Sequence, residues 1–194
     1  MSDKFSTFET DCLNCRRCGL CSTRTNVVIG SGNPESQIMF VGEGPGEKED
    51  LSGEAFVGPA GQLLDDYLSL IGLDRSMIYI ANIVKCRPPM NRDPSREECS
   101  ACRVWLDLQM EKIDPLVIIC LGRIAAKELI NQDFRITKDH GKWFYVGGRK
   151  MIATYHPSAL LRDVEKRPEA FADFREIRRE LREMTGNAYP ALIK

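Results

Sequence analysis

Four short apolar runs punctuate the chain, at 37–42, 78–84, 116–121 and 151–155, each bounded by turn-forming or charged residues. None alternates cleanly between apolar and polar, as a strand with one wet face would. Continuous apolar runs of this length suit strands covered on both faces. Between them the period becomes helical. In 61–71, Leu63, Leu64, Tyr67, Leu68 and Ile71 recur at three- and four-residue intervals and make one apolar stripe. The segment 95–113 opens with Ser95 and carries Glu98 three positions later, the reciprocal capping pair that starts a helix. A short segment at 123–130 is apolar on one side. In 171–184, Phe174, Ile177, Leu181 and Met184 oppose Arg175, Arg178, Arg179 and Arg182. The glycine-bounded, aromatic stretch 141–148 reads as a hairpin or loop.

Strands alternating with helices predict an α/β fold, a three-layer α/β/α sandwich around a central, mainly parallel four-stranded sheet. No repeat, low-complexity tract or linker divides the 194 residues, so a single domain spanning 1–194 is expected. In such sheets ligands bind outside the carboxyl ends of the strands. Here the first apolar run leads into residues 43–50, the second contains Asn82 near its end, and the last is followed by His156. Three polar signals therefore converge on one sheet edge.

Composition narrows the partners. The net charge of −1 gives no global nucleic-acid signature, so a DNA partner must be met by local basic patches. No apolar run is long enough to span a bilayer, and the polar, acidic first eleven residues lack a signal-peptide core. A cytoplasmic location without a membrane partner is expected, with the protein acting as a monomer.

Eight cysteines are many for such a compartment and point to metal rather than disulfides. Cys120, inside an apolar run, reads as a plain buried residue. Cys12, Cys15, Cys18 and Cys21 repeat at every third position, and Cys86, Cys99 and Cys102 form a second group. The first run alone suits a ferredoxin-like cluster or a zinc knuckle. A ligand set divided between the two groups would instead staple the N-terminal segment to the domain. Spacing leaves all three open.

Four ordered motifs carry a resemblance. Gly42-Glu43-Gly44-Pro45-Gly46-Glu47-Lys48-Glu49-Asp50 lacks the Lys-Ser/Thr of a nucleotide-binding P-loop. It is followed by Phe56-Val57-Gly58-Pro59-Ala60-Gly61, then Asn82-Ile83-Val84-Lys85-Cys86-Arg87-Pro88-Pro89, and later His156-Pro157-Ser158-Ala159-Leu160-Leu161-Arg162. Together, from about Cys15 to about Met184, these resemble the family-4, iron–sulfur branch of the uracil-DNA glycosylase superfamily. The resemblance implies a [4Fe–4S] cluster held by Cys15, Cys18, Cys86 and Cys102, with Cys12, Cys21 and Cys99 spare. It implies hydrolysis of the N-glycosidic bond of uracil in DNA, leaving an abasic site.

Each motif offers a group suited to that chemistry. Phe56 gives an aromatic face for the flipped base. Asn82 offers an acceptor and a donor along the base edge, matching uracil and opposing cytosine. His156 can donate to the uracil oxygen that gains charge. The resemblance assigns Glu49 to positioning water and stabilising the sugar cation, and Glu43 to bracing the loop or touching the base. Gly44, which stands where the best-known uracil glycosylases carry an Asp, and Gly46 allow close backbone approach. Leu161 and Arg162, with Leu160, form a candidate wedge and phosphate contact. Arg87, Arg92, Arg96 and the last helix's arginines are further phosphate candidates. His140 reads as a surface residue.

Other classes make different expectations. A redox or electron-transfer iron–sulfur module leaves Phe56, Asn82 and His156 without a role. A non-catalytic DNA-binding module would hold undamaged DNA as tightly as uracil-DNA. A related branch traps uracil-DNA covalently through a histidine after the second motif, and residues 87–96 contain none; turnover is expected.

Overall fold

The computed structural model describes residues 2–186. Met1 and residues 187–194, which the single-domain expectation includes, lie outside the described residues. The chain opens with α1 (Ser2–Leu13), a short edge strand β1 (Ser31–Gly32), the central strand β2 (Ile38–Gly42), α2 (Glu47–Ser52) and α3 (Pro59–Leu70). Then follow β3 (Tyr79–Asn82), the long α4 (Arg96–Ile113), β4 (Val117–Leu121), α5 (Arg123–Leu129) and α6 (Ile136–Asp139). The hairpin β5 (Trp143–Val146) and β6 (Arg149–Thr154), α7 (Pro157–Arg162) and α8 (Arg167–Thr185) complete it.

The sheet order is β1-β3-β2-β4-β6-β5. The four apolar runs form its heart, with β3, β2, β4 and β6 mutually parallel. The expectation of four strands is corrected to six, because β1 and β5 add antiparallel edges. β1 is only two residues long, and β5, the aromatic run Trp143-Phe144-Tyr145-Val146, falls in the stretch expected as a hairpin or loop and is only partly buried. The apolar runs owe their continuity to two covered faces. On β2, Met39 and Val41 join one core, with residues of α1, α4 and α5, while Ile38 and Phe40 join the other, with α3, α7 and α8. That is the three-layer sandwich.

Local signals act as expected at α4, where the Ser95 hydroxyl accepts from the Glu98 amide and the Glu98 carboxylate accepts from the Ser95 amide at 2.8 Å. The N-terminal segment, in contrast, forms a helix whose Phe8 and Cys12, one turn apart, enter the core. The chain builds β3 on one side of β2, then crosses to β4 on the other. The winding direction reverses there, and a crevice opens at the carboxyl ends of the strands.

Candidate active site and cysteine cluster

A cavity of ≈350 Å³ lies at that reversal. The loop after β2 brings Glu43, Gly44, Gly46 and, from α2, Glu49. The end of β3 brings Asn82, the start of α5 brings Arg123, and α7 with its cap brings His156 and Arg162. Phe56 closes one side. Of the residues expected as catalytic or base- and backbone-contacting, Glu43, Gly44, Gly46, Glu49, Phe56, Asn82, His156 and Arg162 line this cavity, and Leu161 does not. Leu161 sits on α7 between the lining residues Ala159 and Arg162, its side chain 41% exposed, while Leu160 is buried in the core.

Two buried polar atoms here have no hydrogen-bond partner, Asn82 Oδ1 and His156 Nε2. The other such atoms among the described residues are the Nε atoms of Arg149 and Arg178. An unpaired buried polar atom costs about 1–3 kcal/mol, so two in one cavity are groups poised for a ligand. Asn82 is 1% exposed, and the room for its amide comes from Gly42. A Cβ at Gly42 would lie 2.5 Å from Asn82 Oδ1 and 2.7 Å from the Phe56 ring.

His156 caps α7. The Ser158 amide donates to its Nδ1 at 3.1 Å, and the Ser158 hydroxyl lies 2.8 Å from the same nitrogen. A ring nitrogen that accepts from an amide carries no proton, so the neutral ring holds its proton on Nε2, the unpartnered atom. Burial, reinforced by the Arg162 charge, lowers the His156 pKa to about 4. The ring is therefore a neutral donor near pH 7. It lies 5.8 Å from the Phe56 ring, centroid to centroid, at 32°.

Phe56 holds this place in a left-handed conformation, φ 56°. Arg75, in the turn before β3, donates to the carbonyls of Ala55, at 3.2 Å, and Phe56, at 2.5 Å, while Asp65 of α3 holds the guanidinium at 2.7 Å. Sequence reading missed this clamp, since nothing near Arg75 marks it and its partners lie 10 to 20 positions away.

The two glutamates differ. Glu49 is buried, and its Oε1 accepts from the Gly58 amide at 2.7 Å. Glu43 is half-buried; burial, helped by Asp93, lifts its pKa to about 7, while Arg123 and Arg162 pull the other way. At Gly44 a Cβ would sit 2.7 Å from Val84 Cγ2, so a side chain there must displace Val84.

Three of the candidate phosphate-binding arginines are paired. Arg92 makes a bidentate pair with Glu98, Arg87 donates to Asn91 Oδ1 at 2.8 Å, and Arg179 of α8 bridges Glu176 and Glu183. The Arg179 part of that helix face is salt-bridged. His140 departs from its surface reading: it is partly buried, its Nδ1 2.9 Å from Asp173 and its Nε2 3.3 Å from Glu169, with its ring against Tyr155.

Away from this cavity, six thiols line a second, small hollow: Cys12, Cys15, Cys18, Cys21, Cys86 and Cys102. Cys99 does not line it, and all eight cysteines are free thiols. Four of these sulfurs meet N–H donors. Trp105 Nε1 lies 3.1 Å from Cys15, Arg24 Nη1 3.1 Å from Cys86 and the Lys85 amide 3.2 Å from Cys102. The Leu20 amide faces Cys18. Burial raises the Cys12 thiol to about 12 and Cys86 to about 11, the latter eased by Arg24. Among the described residues no three His, Cys, Asp or Glu side chains are grouped to hold a single metal ion. Lys85 joins the two sites: beside Cys86 and wholly buried, its Nζ donates to the Asn82 carbonyl at 2.9 Å and to Gln109.

The fold and cavity define an α/β protein with a sheet-edge pocket that presents an unpartnered acceptor and an unpartnered ring nitrogen beside an aromatic ring. The model of the uracil DNA glycosylase superfamily matches residues 29–182. Proteins named type-4 uracil-DNA glycosylase are similar over most of the chain. That of Archaeoglobus fulgidus is 46% identical over 93% of both chains. That of Thermotoga maritima is 49% identical over 77% of this chain and 79% of its own, and that of Sulfurisphaera tokodaii 42% over 91% and 84%. The chain belongs to the uracil-DNA glycosylase superfamily, in its type-4 branch.

Proposed function

We propose that this protein excises uracil from DNA by hydrolysing the bond between base and deoxyribose, leaving an abasic site. One observation carries the reading: the orphaned acceptor Asn82 Oδ1 and the orphaned donor His156 Nε2 share one cavity beside the Phe56 ring. Uracil supplies their complements, an N3–H donor and carbonyl acceptors on a flat ring. Cytosine has no hydrogen at N3, so the same amide is left unpaired.

The chemistry follows from these positions. The flipped base stacks on Phe56 and pairs with Asn82. As the glycosidic bond breaks, the electron pair leaves with uracil, and neutral His156 donates a hydrogen bond to the oxygen gaining charge. A neutral ring suits this buried position, because it donates its Nε2 proton to the developing anion without the desolvation cost of a buried imidazolium. Glu49, fixed by the Gly58 amide, orients the attacking water and accepts its proton. We assign stabilisation of the positive sugar, which the resemblance gives to Glu49, to ionised Glu43 in the same cavity. Among the described residues no lysine lines the cavity. Arg162 contacts phosphate beside Leu161, which enters the stack.

The residues around the second hollow fit a [4Fe–4S] cluster held by Cys15, Cys18, Cys86 and Cys102. These are the four sulfurs that meet N–H donors, and such bonds stabilise cluster thiolates. When bound, the cluster serves as a structural cross-link between the N-terminal segment and the β3–α4 region, remote from the proton transfers. No helix among the described residues is long and apolar enough to cross a membrane. We propose that the protein acts on DNA as a single copy in the cytoplasm.

The test is direct release of base. Oligonucleotides carrying one uracil should yield free uracil and an alkali-labile site, while cytosine and thymine controls stay intact. Intact uracil strands would refute the proposal.

A further inference from the structure

Met90 is 92% exposed, more than any other large apolar side chain among the described residues. It sits in the short turn Pro89–Asn91 with φ 56° and ψ 22°, and Asn91 follows at φ 53°. Two successive non-glycine residues in the left-handed region are unfavourable, and an exposed methionine gains nothing from burial to offset that. The turn is nevertheless held firmly. The Asn91 amide donates to the Pro88 carbonyl at 3.0 Å, Arg87 grips the Asn91 side chain, and Arg123 of α5 pairs with Asp93. A rigid turn thus projects an apolar knob into solvent.

Its location gives this arrangement a purpose. Pro88 and Asn91, on either side of Met90, both line the proposed uracil cavity. Leu161 occupies an equivalent place on the other segment, exposed between the lining residues Ala159 and Arg162. The Met90 turn follows β3 and α7 follows β6, three places apart in the sheet order, or about 14 Å at the usual strand spacing. Two apolar side chains therefore stand at the mouth on segments that rise from separate strands, with Arg162 beside them free of any ion pair among the described residues.

We propose that Met90 is a second DNA-inserting side chain, packing into the base stack beside the flipped nucleotide while Leu161 enters from the other segment. This rests on the uracil-excision reading. Flipping a base leaves a gap and an unstacked neighbour, and an unbranched, polarizable thioether is suited to fill an irregular apolar space. Its rigid display means that the ordering cost is met before DNA arrives.

The test compares wild type, Met90→Gly and Met90→Leu on a duplex and on a single strand carrying one uracil. Glycine accepts φ 56° without strain, so Met90→Gly should melt no lower than wild type. Its kcat/KM on duplex should fall about tenfold to a hundredfold, the equivalent of losing one buried side chain. Single-stranded cleavage should change less than about twofold on the same reasoning, since no stack is filled there. Met90→Leu should retain most duplex activity. A 2-aminopurine next to uracil should brighten on binding wild type and brighten less with Met90→Gly. Equal duplex kinetics and equal fluorescence in wild type and Met90→Gly would overturn the proposal. So would equal losses on both substrates, which would make Met90 part of the pocket rather than a wedge. A wild type inert on every uracil substrate would instead overturn the excision reading, and this proposal with it.

Discussion

At the scale of single residues, the site separates two titrating groups. His156 is held neutral by burial, with its pKa lowered to about 4, while Glu43 is lifted to about 7. The acid limb of a pH–rate profile therefore belongs to Glu43. Excision should slow as pH falls through about 7 and the carboxylate protonates, and Glu43→Gln should remove that inflection. An inflection that survives in Glu43→Gln would contradict the assignment. Stability follows the same group with a definite sign. Its folded pKa lies above the ordinary 4.5, so its contribution to stability is fully present below about 4.5 and lost as pH rises through about 7. Glu43→Gln should therefore raise Tm more at pH 8 than at pH 4.5. Phe56, Asn82 and His156 were marked by their motifs, and the fold brings all three to one cavity. What the sequence did not disclose was how they are held. The His156 tautomer depends on the Ser158 amide, and the room for Asn82 depends on a hydrogen at Gly42.

At the scale of elements, long apolar runs and capping pairs were legible, because they express burial and local hydrogen bonding within a few residues. Edge strand β1 was not, and β5 was legible only as the hairpin-or-loop reading of 141–148, which its antiparallel pairing with β6 resolves as a hairpin. β5 presents partly buried aromatics to a single partner, and α1 contributes Phe8 and Cys12 to the core through a mostly polar helix. Tertiary pairing decides such elements, and no local period records it. The Arg75 clamp belongs here too, for it ties the turn before β3 to α3 and to the strained backbone at Phe56. Arg75→Ala would leave two partly buried carbonyls without a donor, a loss of about 1–3 kcal/mol. It should lower Tm and reduce kcat/KM about tenfold through a looser Phe56, within the range that misplacing a site residue can cost. Unchanged Tm and kinetics would show that Phe56 keeps its place without the clamp.

At the scale of the whole molecule, one short segment joins the two sites. Residues 82–86 carry Asn82, proposed to read the base, at one end and the ligand candidate Cys86 at the other, with Lys85 buried between them and bonded to the Asn82 carbonyl. The spacing of seven cysteines left three arrangements open; the fold brings six of them to one hollow and supplies N–H donors to four. Cys86→Ala and Cys18→Ser should abolish the brown iron–sulfur absorbance and lower Tm, whereas Cys21→Ser should retain both colour and iron content. Colour lost equally in Cys21→Ser would shift the ligand register by three.

The central claim is that the sheet-edge pocket excises uracil with neutral His156 as the donor to the leaving base. Single-turnover excision of uracil from a duplex by wild type and His156→Ala tests it most directly. The variant should bind the duplex normally and excise about 10²–10³-fold more slowly, as expected for removal of one preorganised donor. Excision at an undiminished rate in a folded His156→Ala protein would contradict the account.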